Sequence, residues 1–276
     1  MNQAKVSVLG LGIIGSIWAR HYEEAGLLAS TWNRTPKPDS PKWIDEPLAA
    51  AEVGEIIQIC VYDPASVREV LQKILPALKE GKTVVQSSTI DPKSAEEFAA
   101  FVRGTGAKYV EAPFTGSKVA AGEKKTVFFL GGNTSDIDAL EPILSTVSRK
   151  RFRFAEPAQA ATIKLAMNHQ ISTITEALCE GVTWARKVGL QDQQFFDVLR
   201  ENVAWSGLAE MKEEKIRSMD FDPQFSIKNM QKDMRLAHES APIPLPSLAL
   251  VRDRLTEAVE SGYGDDDFIA LLKLLS

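Results

Sequence analysis

A short glycine run, Gly10-Leu11-Gly12-Ile13-Ile14-Gly15, constrains what this chain can fold into more than any other feature. Before it stands the apolar run Val6-Ser7-Val8-Leu9, which reads as a strand; after it, residues 14–25 read as a helix. In a strand–turn–helix of this kind the first glycine permits the tight turn. The second lets a phosphate approach the backbone, and the third lets helix and strand pack closely. The helix N-terminus then offers N–H groups and the positive end of its dipole to an anion. The spacing alone is a weak signal, since a glycine-rich turn can exist with no ligand. The flanking strand and helix are what point to a dinucleotide loop, with Gly10, Gly12, Ile13, Ile14 and Gly15 against the cofactor.

The rest of the first half extends that pattern. Residues 28–32, 56–61, 83–86, 109–110 and 127–130 read as strands; residues 67–78 and 95–103 read as helices. Alternation of this kind predicts a parallel sheet covered by helices on both faces. Near Ala158 the texture changes. Ile163, Met167, Ile171, Ile174, Leu178 and Val182 recur at steps of three and four, and no proline interrupts residues 158–187. That is the stripe of one long helix, roughly 40 Å from end to end at 1.5 Å per residue. Only helical patterns follow, over 191–202, 206–217, 226–239, 245–261 and 267–275. The fold class expected is therefore α/β: a Rossmann-type dinucleotide-binding domain over 1–157, then an all-helical domain over 158–276, joined by a long interdomain helix.

Composition removes several function classes. A net charge of −5 gives no electrostatic footprint for a nucleic-acid partner. No apolar run is long enough to span a membrane, and residues 6–14 are too short and glycine-broken for a signal peptide. Two cysteines, Cys60 and Cys179, make no disulfide framework, so a reducing, cytoplasmic location is expected. His21, His169 and His238 are isolated and show no metal-ligand spacing. Asp265-Asp266-Asp267, before the last helical pattern, reads as an N-cap with favourable charge at the helix dipole.

The second strand ends in Asn33-Arg34-Thr35. An NAD-binding chain carries an acid about here, bonded to the ribose 2′-hydroxyl. An amide, a guanidinium and a hydroxyl instead suit a 2′-phosphate, so NADPH/NADP+ is the expected cofactor, although an arginine here also reads as a plain surface residue. Val61 and Tyr62, at the end of the buried strand, are counted with the cofactor contacts. Ser87-Ser88-Thr89 and Glu111-Ala112-Pro113-Phe114-Thr115-Gly116-Ser117-Lys118 both follow strands at the sheet edge where ligands of such folds bind. Lys164 and Asn168 lie four apart on the long helix and share a face. A lysine near a carbonyl oxygen can donate a proton as hydride arrives, best with its pKa drawn toward neutrality by burial. By pattern alone, both are more often solvated helix residues.

Together these segments resemble the β-hydroxyacid dehydrogenase family, which includes 3-hydroxyisobutyrate dehydrogenase and the glyoxylate/succinic semialdehyde reductases. The resemblance covers nearly the whole chain. It implies that Lys164 is the catalytic acid/base and that Thr115, Gly116, Ser117 and Asn168 bind substrate. Ser88-Thr89 looks like the pair near the nicotinamide, which places Thr89 there. Lys232-Asp233-Met234-Arg235-Leu236-Ala237 is similar to a late family motif, implying Lys232 as a cofactor contact with Phe225 and Asp233 lining the pocket. Gly116-Ser117-Lys118 looks more like the glyoxylate/succinic semialdehyde reductase version. The chain departs from the pattern at Ala158 and Ala160, where glycines are usual, at Lys124, usually glycine, and at Phe114, usually a small aliphatic residue. The implied activity is NADPH-dependent reduction of a small aldehyde or keto acid by a homodimer or homotetramer. Imine reduction on the same fold and a non-catalytic dinucleotide-binding scaffold are the alternatives; Lys164 speaks against both.

Overall fold

The computed structural model describes residues 4–275. Its first part alternates β1 (Val6–Leu9), α1 (Ile13–Glu24), β2 (Leu28–Trp32), α2 (Pro47–Val53), β3 (Ile56–Ile59), α3 (Pro64–Lys73), β4 (Thr83–Gln86), α4 (Pro92–Arg103), β5 (Lys108–Glu111), β6 (Phe114–Thr115), α5 (Lys118–Gly122), β7 (Thr126–Gly131), α6 (Thr134–Leu144) and β8 (Ser148–Phe154). Helices alone follow: α7 (Pro157–Lys187), α8 (Asp192–Arg200), α9 (Gly207–Ser218), α10 (Ile227–Ser240) and α11 (Pro246–Ala258), with a final 3-10 segment over Phe268–Leu275. This is the Rossmann-type α/β architecture with a helical second part.

The sheet runs β2-β1-β3-β4-β5-β7-β6, with β8 paired to β7. Pairing is parallel from β2 through β5, and β7 runs antiparallel to β5 and β6. The order reverses at β1, which has β2 on one side and β3 on the other. The crevice beyond the C-terminal ends of β1 and β3 is the place where such sheets take ligands, and the Gly10–Gly15 loop sits there. Side chains alternate between two cores. Leu9, Ile57, Ile59 and Val84 pack with Val67, Leu71 and Phe98 of α3 and α4; Val6, Val8, Val85 and Val110 pack with Trp18 and Tyr22 of α1 and with Leu140 of α6. Burial on both faces explains why these strands read as continuous apolar runs.

Helices α3 and α4 begin three residues before their apolar periodicity does. In each, an aspartate side chain accepts a hydrogen bond from the N–H three residues on, Asp63 from Ser66 and Asp91 from Ser94. A proline fills the first helical position, where its missing N–H costs nothing. β8 carries Arg149, Lys150, Arg151 and Arg153 and was not expected as a strand. It lies at a sheet edge, and its charges reach Glu141 and Asp138 on α6.

The chain divides into two compact units, Met1–Lys164 and Leu165–Ser276. The division falls inside α7, whereas the expected boundary at 157/158 coincides with the start of that helix. Ala160, where the resemblance has glycine, is buried against Val127 and Phe129. Along the expected stripe Leu178 and Val182 are buried, but Met167 and Ile174 are exposed. The helical unit packs on Leu178, Val182, Phe196, Ile216, Met230, Leu255 and Ile269. Among the described residues, no helix is long and apolar enough to cross a membrane.

Candidate active site

The glycine loop is built for close approach. Gly10 sits at φ +109°, and a Cβ there would lie 2.2 Å from the Cys60 carbonyl oxygen; a Cβ on Gly15 would lie 2.0 Å from the Gly10 oxygen. Neither position tolerates a side chain. Gly12, by contrast, faces open space, with nothing within 4 Å of a Cβ. It caps α1 without any side-chain hydrogen bond to the first turn, and that turn holds no acid. An open approach and N–H groups left to an outside acceptor fit the pyrophosphate of a dinucleotide. Ile13 is half exposed at the start of the helix, with Ile14 packed beneath.

Asn33, expected at the cofactor, is bonded through both ends of its amide. Its side-chain oxygen accepts from Leu11 N at 2.9 Å and its amide donates to the Thr35 carbonyl at 2.8 Å. The residue thus ties the end of β2 to the glycine loop. Lys37, which the sequence reading passed over, donates from Nζ to the Leu11 carbonyl at 2.5 Å, and Ser16 Oγ donates to the same oxygen. Arg34 and Thr35 remain exposed beside this cluster. Val61 donates its N–H to Ser88 Oγ at 2.8 Å and would meet a Gly10 Cβ at 3.0 Å, so it underlies the loop; Tyr62 is exposed next to it.

The ends of β4 and β5 are joined by a buried network that the sequence reading also missed. Gln86 accepts from Ser88 N at 2.6 Å, donates to the Ser88 carbonyl at 3.0 Å, and donates to Glu111 Oε1 at 2.9 Å. Tyr109 donates its hydroxyl to Glu111 Oε2 at 2.5 Å. Burial pushes the Glu111 carboxyl up to about 8, against the downward pull of Tyr109 and Gln86, with Asp91 adding a small upward push. The network holds the loop bearing Thr89 against the strand that leads into the Phe114–Ser117 segment.

A raised carboxyl makes stability depend on pH. Between its ordinary value near 4.5 and about 8, the folded chain keeps a proton that the unfolded chain has lost. Stability therefore falls as pH rises through that window, by up to about 1.4 kcal/mol per unit from this group, and levels off above it. Glu111→Gln is expected to flatten this slope. Denaturant midpoints of both proteins at several pH values from 5 to 8.5 test it; parallel slopes would show that Glu111 is not the group responsible.

Thr115 pairs with Val127 on β7, and Gly116 turns at φ +133°, a conformation that suits glycine. Ser117 Oγ caps α5 by accepting from Ala120 N at 3.4 Å. In the same unit Lys164 is only 8% exposed, and its Nζ stands 5.8 Å from the centroid of the Phe114 ring. Phe114 directly precedes Thr115, so the lysine reaches the segment expected to bind substrate.

In the helical unit, Asn168 and Asp233 come together: Asn168 Nδ2 donates to Asp233 Oδ2 at 2.6 Å. Lys232 Nζ lies 2.8 Å from Asp233 Oδ1, a charge contact made outside hydrogen-bond geometry. All three are buried. Phe225 is half-buried against Phe268, ring centroids 6.4 Å apart. No group of three His, Cys, Asp or Glu among the described residues is arranged to hold a metal.

A glycine loop at the switch point of a parallel sheet is the arrangement of a dinucleotide-binding protein. Comparison with known proteins agrees. Residues 5–155 match the NAD-binding domain of 6-phosphogluconate dehydrogenase, and residues 158–275 match the NAD-binding domain of NADP-dependent 3-hydroxyisobutyrate dehydrogenase. The chain belongs to the β-hydroxyacid dehydrogenase family and is an NAD(P)-dependent oxidoreductase of the 3-hydroxyisobutyrate dehydrogenase type. It is 28% identical to glyoxylate/succinic semialdehyde reductase 1 of Arabidopsis thaliana, over 98% of this chain and 97% of that one. With the chloroplastic reductase 2 of the same plant it shares 26% identity, over 100% of this chain and 80% of the relative. A crystal structure of 3-hydroxyisobutyrate dehydrogenase from Salmonella typhimurium superposes with a TM-score of 0.87 at 25% identity, covering 98% and 99% of the two chains.

Proposed function

We propose that this chain reduces a small aldehyde or keto acid, of the glyoxylate or succinic semialdehyde kind, to the hydroxy acid, with NADPH as the reductant. The observation that carries the reading is the burial of Lys164 beside the Phe114–Ser117 segment. Lysines are mostly exposed, so a buried one beside that segment is a candidate for the chemistry. When bound, the nicotinamide supplies hydride. The Lys164 ammonium gives its proton to the oxygen on which negative charge develops. The Thr115 and Ser117 hydroxyls and the Gly116 N–H hold the substrate carboxylate. Asn168, Phe225 and Asp233 keep the substrate contacts that the resemblance implies, and Thr89 and Lys232 the cofactor contacts.

The experiment is an NADPH-consumption screen over short aldehyde and keto acids, with a cyclic imine alongside. Turnover of glyoxylate or succinic semialdehyde is expected. Turnover of the imine alone moves the assignment to imine reduction, and NADPH binding with no turnover moves it to a scaffold. The preference for NADPH rests on the exposed Arg34 and Thr35 and on the absence of an acid at the end of β2. Arg34→Ala is expected to raise KM for NADPH about 10- to 100-fold, the worth of a charge-assisted phosphate contact, and to leave KM for NADH unchanged. Equal losses with both cofactors would remove the 2′-phosphate from the argument.

A further inference from the structure

Phe114 stands where the family resemblance has a small aliphatic residue, and nothing in the function proposed above requires a ring there. The structure nonetheless fixes that ring from several sides. Its backbone is pinned by the β6–β7 pairing, Phe114 opposite Phe128. The ring packs in T-shaped contact with the Trp18 indole, centroids 4.7 Å apart at 70°, and with Phe128 at 6.2 Å and 63°. Trp18 is itself fully buried on α1, with Nε1 donating to Thr126 Oγ1 at 3.3 Å. On this anchored ring stands the Lys164 ammonium, 5.8 Å from the centroid.

We propose that Phe114 is a positioning residue for Lys164: an aromatic platform, held by Trp18 and Phe128, that confines the amine to the place where it meets the substrate oxygen. The proposal rests on Lys164 being the acid/base. A lysine side chain has four rotatable bonds and pays rotamer entropy wherever its amine must be located. The negative face of a ring within about 6 Å attracts the ammonium and lowers that cost, and a branched aliphatic side chain has no such face. The anchoring matters as much as the ring. α1 begins at the glycine loop, so Trp18 couples the helix that receives the phosphate to the ring beneath the catalytic amine.

The test compares Phe114→Leu, which keeps apolar bulk without a π face, with Phe114→Tyr, which keeps the face. Leu is expected to lower kcat about three- to tenfold with KM for the carbonyl acid and affinity for NADPH unchanged, while Tyr stays within about twofold of the parent. Should the Leu variant fail to fold, Phe114→Met makes the same comparison. Three results overturn the proposal: an unchanged kcat in Leu, an equal loss in Tyr, or a Leu variant that keeps kcat but accepts longer substrates, which makes the ring a pocket wall. Each variant is also made on Lys164→Ala. If Phe114 acts through the lysine, removing the ring costs nothing further there. If Lys164→Ala alone is near normal, the acid/base assignment has failed. If that variant is inactive while Phe114→Leu is normal, only the platform has failed.

Discussion

Replacing Lys164 with alanine is expected to lower kcat for the carbonyl acid by a factor of about 10² to 10⁴, the range that general acid catalysis supplies. Hydride addition to a carbonyl leaves two electrons on oxygen. Unless a proton or a positive charge waits there, the barrier includes forming a bare alkoxide. Lys164 is buried in the first unit beside Phe114, the residue before Thr115; if it is the proposed acid, its removal takes away both proton and charge. NADPH affinity is expected to stay within about threefold, since the phosphates are assigned to Gly10–Gly15, Arg34 and Thr35. A fluorescence titration checks that side of the prediction. Lys164→Arg separates the two roles: guanidinium keeps the charge but gives up no proton near neutrality. It is expected to recover only part of the loss. Turnover in the alanine variant within about threefold of the parent would remove Lys164 from the chemistry.

The parts of the fold that could be read in advance are those whose signals are local. The β1, β2 and β4 limits follow from apolar runs bounded by turn residues, and α7 from an uninterrupted helical stripe. The missed elements lack such a signal. β6 is two residues long and α5 five, too short to carry any period. α6 contains Pro142, and β8 alternates phenylalanine with arginine, a pattern that reads as a solvated charge run until α6 supplies Glu141 and Asp138. The site shows the same division. The glycine spacing and the order of the motif segments are visible along the chain. What Asn33 does is not, because its partner at Leu11 is 22 residues away and reached only once β1 and β2 are paired. Glu111 is likewise unreadable: a glutamate in a loop motif gives no hint that Tyr109 and Gln86 will enclose it. Burial and the pKa it produces are tertiary properties.

Asp267 shows how far a local reading can fall short, and it sets the largest expected effect on stability. As an N-cap alone it would be worth about 1 kcal/mol. The structure does give it a capping bond, from Ile269 N at 3.1 Å to Oδ1, but it also buries the carboxylate completely against Lys212, itself 1% exposed. Lys212 Nζ donates to Oδ1 at 2.7 Å and to Oδ2 at 2.9 Å, and it lies 4.4 Å from the Phe268 ring centroid. Gln224 N adds a bond to Oδ2 at 2.9 Å and Phe225 N one at 3.5 Å. Removing one partner of such a pair strands the other as an uncompensated buried charge, which costs about 3–5 kcal/mol. Asp267→Asn is therefore expected to destabilise the helical unit by that amount: it preserves shape, but it leaves one accepting oxygen and turns an NH2 toward donors that the carboxylate had accepted from. Adding Lys212→Met removes the stranded ammonium and is expected to recover most of the loss, because a buried pair replaced by apolar bulk is often neutral. Denaturant midpoints for the single and double variants form the cycle. A loss below about 1 kcal/mol in the single variant, or none recovered in the double, would mean that the pair is not what holds the 221–226 loop to the C-terminal segment. At temperatures where the single variant stays folded, KM for the carbonyl acid should rise with kcat little changed, since the loop that loosens carries Phe225 and not Lys164.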